Sequence, residues 1–343
     1  MEPRCWNNAR SNQLPSILLI IGSLLLLPIP SPSHADSPLV LEIDAPNPQP
    51  LGDFGRSVAG LQDLNGNGSP EILIGAPNET PYIYGQAYVM DSSTEEVLFT
   101  LESGNPKEHG NFGYSVATVP DLTGDGIEDW VVGAPHEEEI PRSMDLGRAY
   151  VYDGSSGALI HTLRPDFDLV ANFFGRSVAG IEDLDGDGRG EVVVTAYGYH
   201  QYAGRVHIFS GSSGETIREL IAPDQLPEPF HFDSVAVVPD ANGDGVSEIL
   251  AGAPNDRRED LPAESGGAVL YDPVTVEVLK IFESPNPEKS GRFGKSVAGI
   301  PDVNGDGRGD ILIGAPSETA TDTLSHTGRA HVFDGSTAEL LYT

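Results

Sequence analysis

Short apolar runs recur along the chain, four to a unit, separated by polar breaks rich in Gly, Pro, Asn and Asp. The first run of each unit follows a phenylalanine and contains Ser-Val-Ala. The second is almost continuously apolar: EILIGAP from Glu71, DWVVGAP from Asp129, EVVVTAY from Glu191, EILAGAP from Glu248 and DILIGAP from Asp310. The third opens on glycine: GQAYVMD from Gly85, GRAYVYD from Gly147, GRVHIFS from Gly204, GGAVLYD from Gly266 and GRAHVFD from Gly328. The fourth is VLFTL from Val97, LIHTL from Leu159, IRELI from Ile217, VLKIF from Val278 and LLY at 340–342. Runs this short, rich in Val, Ile and Tyr and bounded by turn residues, predict β-strands. No window keeps a capped 3.6-residue period, so no helix is expected.

The units begin at Phe54, Phe112, Phe174, Phe232 and Phe293, spaced 58, 62, 58 and 61 residues apart. One four-stranded unit cannot bury both its faces, and units repeated at a fixed period stack on one another. The pattern predicts an all-β fold, a β-propeller of about five four-stranded blades over 36–343, with a solenoid as the rival stacking. Each unit-leading phenylalanine is the expected wedge between blades, and each Gly-Ala-Pro the expected site of close backbone approach. A further run, LVLEI at 39–43, looks like a blade-ending strand able to help close a ring.

Before these units, residues 1–35 have Arg4 and Arg10, an apolar stretch from Ile17 to Leu27, and Ser33-His34-Ala35. This is the layout of a secretory signal cleaved after Ala35, and the stretch is short for a membrane span. The expected location is secreted, extracellular or cell-surface, or periplasmic. The single cysteine is Cys5, so the mature chain would be exported without disulfides and needs another stabiliser. With 19 Lys+Arg against 52 Asp+Glu, the net charge is −33. That field excludes nucleic acid and anionic membranes as partners and attracts cations.

The acidic residues fall in register. Each first and second run is joined by nine residues with oxygen-bearing side chains at positions 1, 3, 5 and 9 and glycine at position 6. The five sets are Asp63, Asn65, Asn67 and Glu71; Asp121, Thr123, Asp125 and Asp129; Asp183, Asp185, Asp187 and Glu191; Asp240, Asn242, Asp244 and Glu248; and Asp302, Asn304, Asp306 and Asp310. Ca²⁺ takes six to eight oxygens at about 2.3–2.6 Å, and alternate residues of a tight loop can aim them at one point. A turn at the glycine can add the backbone carbonyl of position 7, from Ser69, Ile127, Arg189, Val246 and Arg308. Position 12 is apolar (Ile74, Val132, Val194, Ala251, Ile313) and strands flank the loop, so this is not an EF-hand. The expectation is up to five Ca²⁺. The loop at 183–191, with four carboxylates, should bind tightest, and that at 63–71, with two, weakest.

Phe-Gly, the Asp-x-Asn/Asp-x-Asp-Gly loop and Gly-Ala-Pro together resemble the FG-GAP repeat of integrin α-subunit propellers and their bacterial relatives, over residues 52–343. The resemblance implies calcium in the loops between strands 1 and 2, on one face. It implies a ligand on the opposite face, built from the strand 2–3 and 4–1 loops. Two units depart from the pattern: Thr195-Ala196-Tyr197 replaces Gly-Ala-Pro, and Phe232-Asp233 replaces Phe-Gly.

The function expected is a calcium-stabilised module that binds an extracellular protein or glycan. The aromatic loop with Tyr197, Tyr199, His200 and Tyr202 is a candidate contact. No nucleophile elbow, zinc-protease signature or other ordered catalytic set appears, so an enzyme is not expected, the alternatives being a polysaccharide-active propeller or a fragment of a larger surface protein. Arg308-Gly309-Asp310 spells an integrin-ligand tripeptide, and Asn67-Gly68-Ser69 a glycosylation sequon. Both lie inside expected metal loops, which argues against their display.

Overall fold

The computed structural model describes residues 42–343 except 80–83, 138–145, 166–171, 199–203, 224–229, 257–260 and 320–325. The expected signal segment and all but the last two residues of the 39–43 run lie outside the described residues.

Every expected run within them forms a strand. Blade 1 has β1 (Ser57–Gly60), β2 (Glu71–Ala76), β3 (Gln86–Asp91) and β4 (Val97–Leu101). Blade 2 has β5 (Ser115–Val119), β6 (Asp129–Ala134), β7 (Arg148–Tyr152) and β8 (Leu159–Leu163). Blade 3 has β9 (Val178–Ile181), β10 (Glu191–Ala196), β11 (Arg205–Ser210) and β12 (Thr216–Ile221). Blade 4 has β13 (Ser234–Val238), β14 (Glu248–Ala253), β15 (Gly267–Tyr271) and β16 (Val278–Phe282). Blade 5 has β17 (Ser296–Ile300), β18 (Asp310–Ala315), β19 (Arg329–Phe333) and β20 (Leu340–Tyr342). Each blade is an antiparallel meander with its strands in chain order. The described residues contain no helix, and so none long and apolar enough to cross a membrane. The fold is the all-β blade architecture of a propeller.

Side chains alternate across a strand, so a near-continuous apolar run must be buried on both faces. Here both faces meet other blades. The first strands lie innermost, β1 against β5, β5 against β9, β9 against β13 and β13 against β17. Four inter-blade cores result. Leu73, Ala87, Val89 and Leu101 of blade 1 meet Phe112, Trp130, Val132 and Tyr150 of blade 2. Val131, Val151 and Leu163 meet Phe174, Val192 and Phe209. Val193, Ile208 and Leu220 meet Phe232, Ile249 and Tyr271. Leu250, Leu270 and Phe282 meet Phe293, Ile311 and Phe333. The four phenylalanine wedges are fully buried, and each contributes about 2–3 kcal/mol by burial.

Backbone stitches align the blades. A Cβ on Gly75 would stand 2.0 Å from the Gly113 carbonyl, and one on Gly133 2.0 Å from that of Gly175. The Ser57 and Ser115 hydroxyls donate to those same two carbonyls at 3.0 and 2.9 Å. Blade 3 has Thr195 at the glycine position, and its Oγ1 takes the Ser177 N–H at 2.9 Å.

Blades 5 and 1 do not repeat this joint. Their inner strands are not packed together as the other four pairs are. Tyr342 of β20, paired with Val332, is 62 % exposed, whereas Phe99, His161 and Lys280 at the same register position of other blades are half-buried. Leu312 and Val332 are half-buried, and Phe54 is half-buried where the other wedges are fully enclosed. The three atoms nearest a Cβ on Gly314 all belong to Ser296 of its own blade. The backward face of blade 1 is covered instead by Ile43 and Phe54, packed with Ile72, Ile74 and Tyr88. Five blades therefore make four joints among the described residues.

Candidate functional site

The Asp-rich loops join each blade's first strand to its second, so all five stand at one end of the strands. Their backbone is wound tightly by two glycines with φ near +90°, Gly66 and Gly68 in the first loop and Gly186 and Gly188 in the third, a conformation costly for other residues. The glycine at position 4 was not singled out in the sequence, although every copy has it, at 66, 124, 186, 243 and 305.

The side chains are ordered by this winding. The position-1 aspartate caps the turn: Asp183 accepts from Gly186 N at 2.6 Å and Gly188 N at 2.8 Å, and Asp302 accepts from Gly305 N at 2.6 Å and Gly307 N at 2.8 Å. These N–H donors, Gly188 and Gly307 foremost, hold both carboxyls below the usual range. Position 5 in every loop, and position 3 in all but the Thr123 loop, accepts from the N–H two residues on, as with Asp185 to Asp187 N at 3.1 Å and Asp187 to Arg189 N at 2.8 Å. Position 9 begins the second strand and is buried in all five blades, as Glu71, Asp129, Glu191, Glu248 and Asp310. One oxygen accepts the N–H of position 2, for example Leu64 to Glu71 at 2.7 Å and Ala241 to Glu248 at 2.6 Å.

The other oxygen distinguishes glutamate from aspartate. Asp129 and Asp310 direct it to Gly154 N at 2.7 Å and Gly335 N at 3.2 Å. In Glu71, Glu191 and Glu248 it is buried without a hydrogen-bond partner. Burial pushes Asp129 up to about 6 and Glu191 and Glu248 up to about 7. A buried carboxylate oxygen without a donor is costly alone, and a cation facing it removes that cost. Two oxygens sharing a Ca²⁺ stand no more than about 4.8 Å apart. Oxygens of Asp183, Asp185 and Asp187 meet that limit mutually, as do those of Asp240, Asp244 and Glu248. The residues present therefore fit a hard divalent ion. In the remaining loops Asn65, Asn67, Thr123 and Asn304 bring neutral oxygens, and three mutually close carboxylates are not found there.

Sequence reasoning missed the turn between third and fourth strands, which borders these loops. Asp91 accepts the amides of Asn65, at 2.7 Å, and Asn67; Asp334 accepts that of Asn304 at 2.8 Å; Ser212 donates to Asp187. The recurring acid at Asp91, Asp153, Asp272 and Asp334 was the available signal. Two position-7 residues, assigned by their carbonyls alone, also act through their side chains. Arg189 reaches the loop of blade 2, with Nη1 3.7 Å from Asp121, and Arg308 reaches that of blade 4, with Nη1 3.5 Å from Asp240. Asp310 is fully buried, so the tripeptide is not presented; Asn67 of the sequon is exposed, with its amide engaged by Asp91.

The opposite end has its own buried acid. Glu79, Glu137, Asp256 and Glu318 follow the second strands and are at most 1 % exposed. Glu137 accepts from the Tyr150 hydroxyl, with Arg148 Nε 3.7 Å away, and burial pushes it up to about 7. Glu318 lies 3.0 Å from His331 Nε2 and accepts from Ser284 of the preceding blade. Tyr197 is described at this end; Tyr199, His200 and Tyr202 lie outside the described residues.

These blades, their glycine stitches and their Asp-rich loops define an FG-GAP repeat β-propeller. The FG-GAP repeat model matches residues 54–90, 112–152, 174–209 and 293–333, so the chain carries four such repeats. The unmatched unit is blade 4, the one that begins Phe232-Asp233, yet it forms the same four strands. The chain is similar to integrin alpha subunits. It is 31 % identical to integrin alpha-5 of Xenopus laevis over 196 residues, 50 % of this chain and 18 % of that one. It is 27 % identical to integrin alpha-4 of Xenopus laevis over 221 residues, 62 % of this chain and 21 % of that one. It is 30 % identical to integrin alpha-IIb of Mus musculus over 235 residues, 63 % of this chain and 21 % of that one. The matched region thus spans about a fifth of these curated relatives.

Proposed function

We propose that this chain is a secreted, calcium-stabilised propeller that serves as a ligand-binding or adhesion module. Its Asp-rich loops hold up to five Ca²⁺, and an extracellular protein or glycan docks on the opposite face. The side chains of positions 1, 3, 5 and 9 and the carbonyls of Ser69, Ile127, Arg189, Val246 and Arg308 are the ligands. The supporting observation is the buried, donorless oxygen of Glu248 beside Asp240 and Asp244, and that of Glu191 in the loop whose Asp183, Asp185 and Asp187 are spaced for one ion. The metal offsets repulsion among these acids and rigidifies a chain that has no disulfide to do so. Similarity to integrin alpha subunits favours binding over catalysis.

Two measurements test this. Calcium should raise the melting temperature of EDTA-treated protein and magnesium should do so less; a melt indifferent to calcium refutes the metal assignment. Protein and glycan arrays probed with calcium-loaded protein should yield a ligand whose binding is blocked by substitutions on the opposite face. Turnover of a polysaccharide panel would instead make it an enzyme.

A further inference from the structure

The head of each inner strand lies at the end away from the Asp-rich loop. There the residue two places after the repeat phenylalanine is Arg56, Tyr114, Arg176 or Lys295, and blade 4, one residue shorter, places Asp233 directly after Phe232. These five side chains form one continuous array across all five blades. Arg56 Nη2 donates to the Tyr114 hydroxyl at 2.7 Å, and its guanidinium carbon lies 4.5 Å from the Tyr114 ring centroid. Arg176 lies 5.5 Å from the same centroid and 5.0 Å from that of Tyr197. Its Nε donates to Asp233, to which Lys295 Nζ also donates.

Two breaks in the repeat build the centre of this array. Tyr197 occupies the place of Pro77, Pro135, Pro254 and Pro316, and Asp233 replaces the Gly-Xaa pair of every other blade. Both converge on Arg176. Tyr197 is itself fixed by Asn255, whose Nδ2 donates to its hydroxyl at 2.8 Å, and by the His231 ring at 4.8 Å. Blade packing does not demand either residue, because the other blades stack without them. Departures from a repeat rule that serve one cluster mark function rather than folding.

The array holds three cations and one anion, in a chain of net charge −33. Arg176 spends Nε on Asp233, and no acceptor among the described residues takes its Nη groups. Arg56 is exposed and, among the described residues, hydrogen-bonds through Nη2 alone. A guanidinium held against an aromatic ring keeps its donor fork rigid, and such a fork matches a carboxylate in two parallel hydrogen bonds. We propose that this inner rim binds one or two carboxylates on an acidic segment of a protein partner. A polyanion with a charge on every unit is disfavoured, because its flanking charges would run over the acidic remainder of the chain. The proposal rests on the ligand-face reading above and gives that ligand its chemistry.

A random peptide library displayed on phage, selected against the full calcium-loaded chain, tests it. Asp- and Glu-bearing peptides should be enriched, and Arg56→Gln should weaken them about tenfold, the scale of one charge-assisted contact. Arg176→Gln should weaken them at least as much, with Arg56→Gln remaining decisive if the Arg176 variant fails to fold. Arg56→Lys, which keeps the charge without the fork, should recover part of the binding. Peptides without acidic enrichment, or indifferent to Arg56→Gln, overturn the proposal. So does polyuronate or a sulfated polysaccharide outcompeting the acidic peptides. Peptides that ignore Arg56→Gln but are lost on substitution in the Asp-rich loops overturn the ligand-face reading itself.

Discussion

Arg189 Nη1 stands 3.7 Å from Asp121 Oδ1, and Nη2 of the same side chain donates to the Thr123 carbonyl at 3.0 Å, so the loop of one blade grips the loop of the blade before it. Arg308 stands in the same relation to Asp240. In metal-free protein the arginine supplies the positive charge that the loop lacks. In calcium-loaded protein it faces an ion of like sign. Arg189→Ala should therefore destabilise the protein in EDTA and lower its melting temperature, the loss being less than about 1 kcal/mol for a pair this exposed. It should cost less in saturating calcium. Paired melts check this, and an equal loss in both conditions would show that the arginine does not substitute for the metal.

The loops should differ in strength. Asp185 belongs to the set with four carboxylates, whereas Asn65 gives its amide to Asp91. Asp185→Ala should remove more of the calcium-induced stabilisation than Asn65→Ala. A site at ten times its Kd adds about 1.4 kcal/mol, which is the size of the loss expected. Calcium titrations of the two variants, followed by thermal melts, give the order.

Glu137 predicts a pH effect remote from the loops. Burial raises its pKa from 4.5 to about 7 in the folded chain. The raised value means that its contribution is fully present below pH 4.5 and is lost as pH rises towards 7. The loss reaches up to about 3 kcal/mol, opposed by Arg148 nearby. Glu137→Gln mimics the protonated acid. In denaturant melts with saturating calcium it should come within about 1 kcal/mol of the parent near pH 5 and exceed it by more near pH 8. No gain at pH 8 would mean that Arg148 already neutralises the site.

Glycine substitutions report on the joints. Gly133→Ala drives a methyl into the Gly175 carbonyl of the next blade, where no side-chain rotation can relieve it. A loss of about 3 kcal/mol is expected. Gly314→Ala meets chiefly the Ser296 hydroxyl of its own blade, which can turn away, and should cost clearly less. Equal losses would indicate that blade 5 is packed on its forward face in solution.

Much of this was legible in the chain. The unit-leading phenylalanines and the apolar runs mark blades because a doubly buried sheet must be apolar on both faces. Asp63 and its counterparts mark the loops because spacing by two is imposed by tight turns. What spacing could not reveal is contact between repeats. Arg189 lies far along the chain from Asp121, and the two meet only because blades 2 and 3 stack in a definite register; Asp91 meets Asn65 within blade 1, because β3 pairs with β2. The departures at Tyr197 and Asp233 were visible as exceptions, but not their convergence on Arg176. Closure was equally hidden, because it depends on a small rotation added at every joint and not on any single residue.

A row of blades that stops at two unlike faces has ends, and ends melt first. Blade 3 is braced on both sides, whereas among the described residues the backward face of blade 1 and the forward face of blade 5 lean on no other blade. Deuterium uptake should therefore advance from the two flanks towards the centre, with Val193 and its neighbours the last amides to yield. The protein would come apart like a bookshelf losing its outer volumes, not like a closed hoop that must be cut.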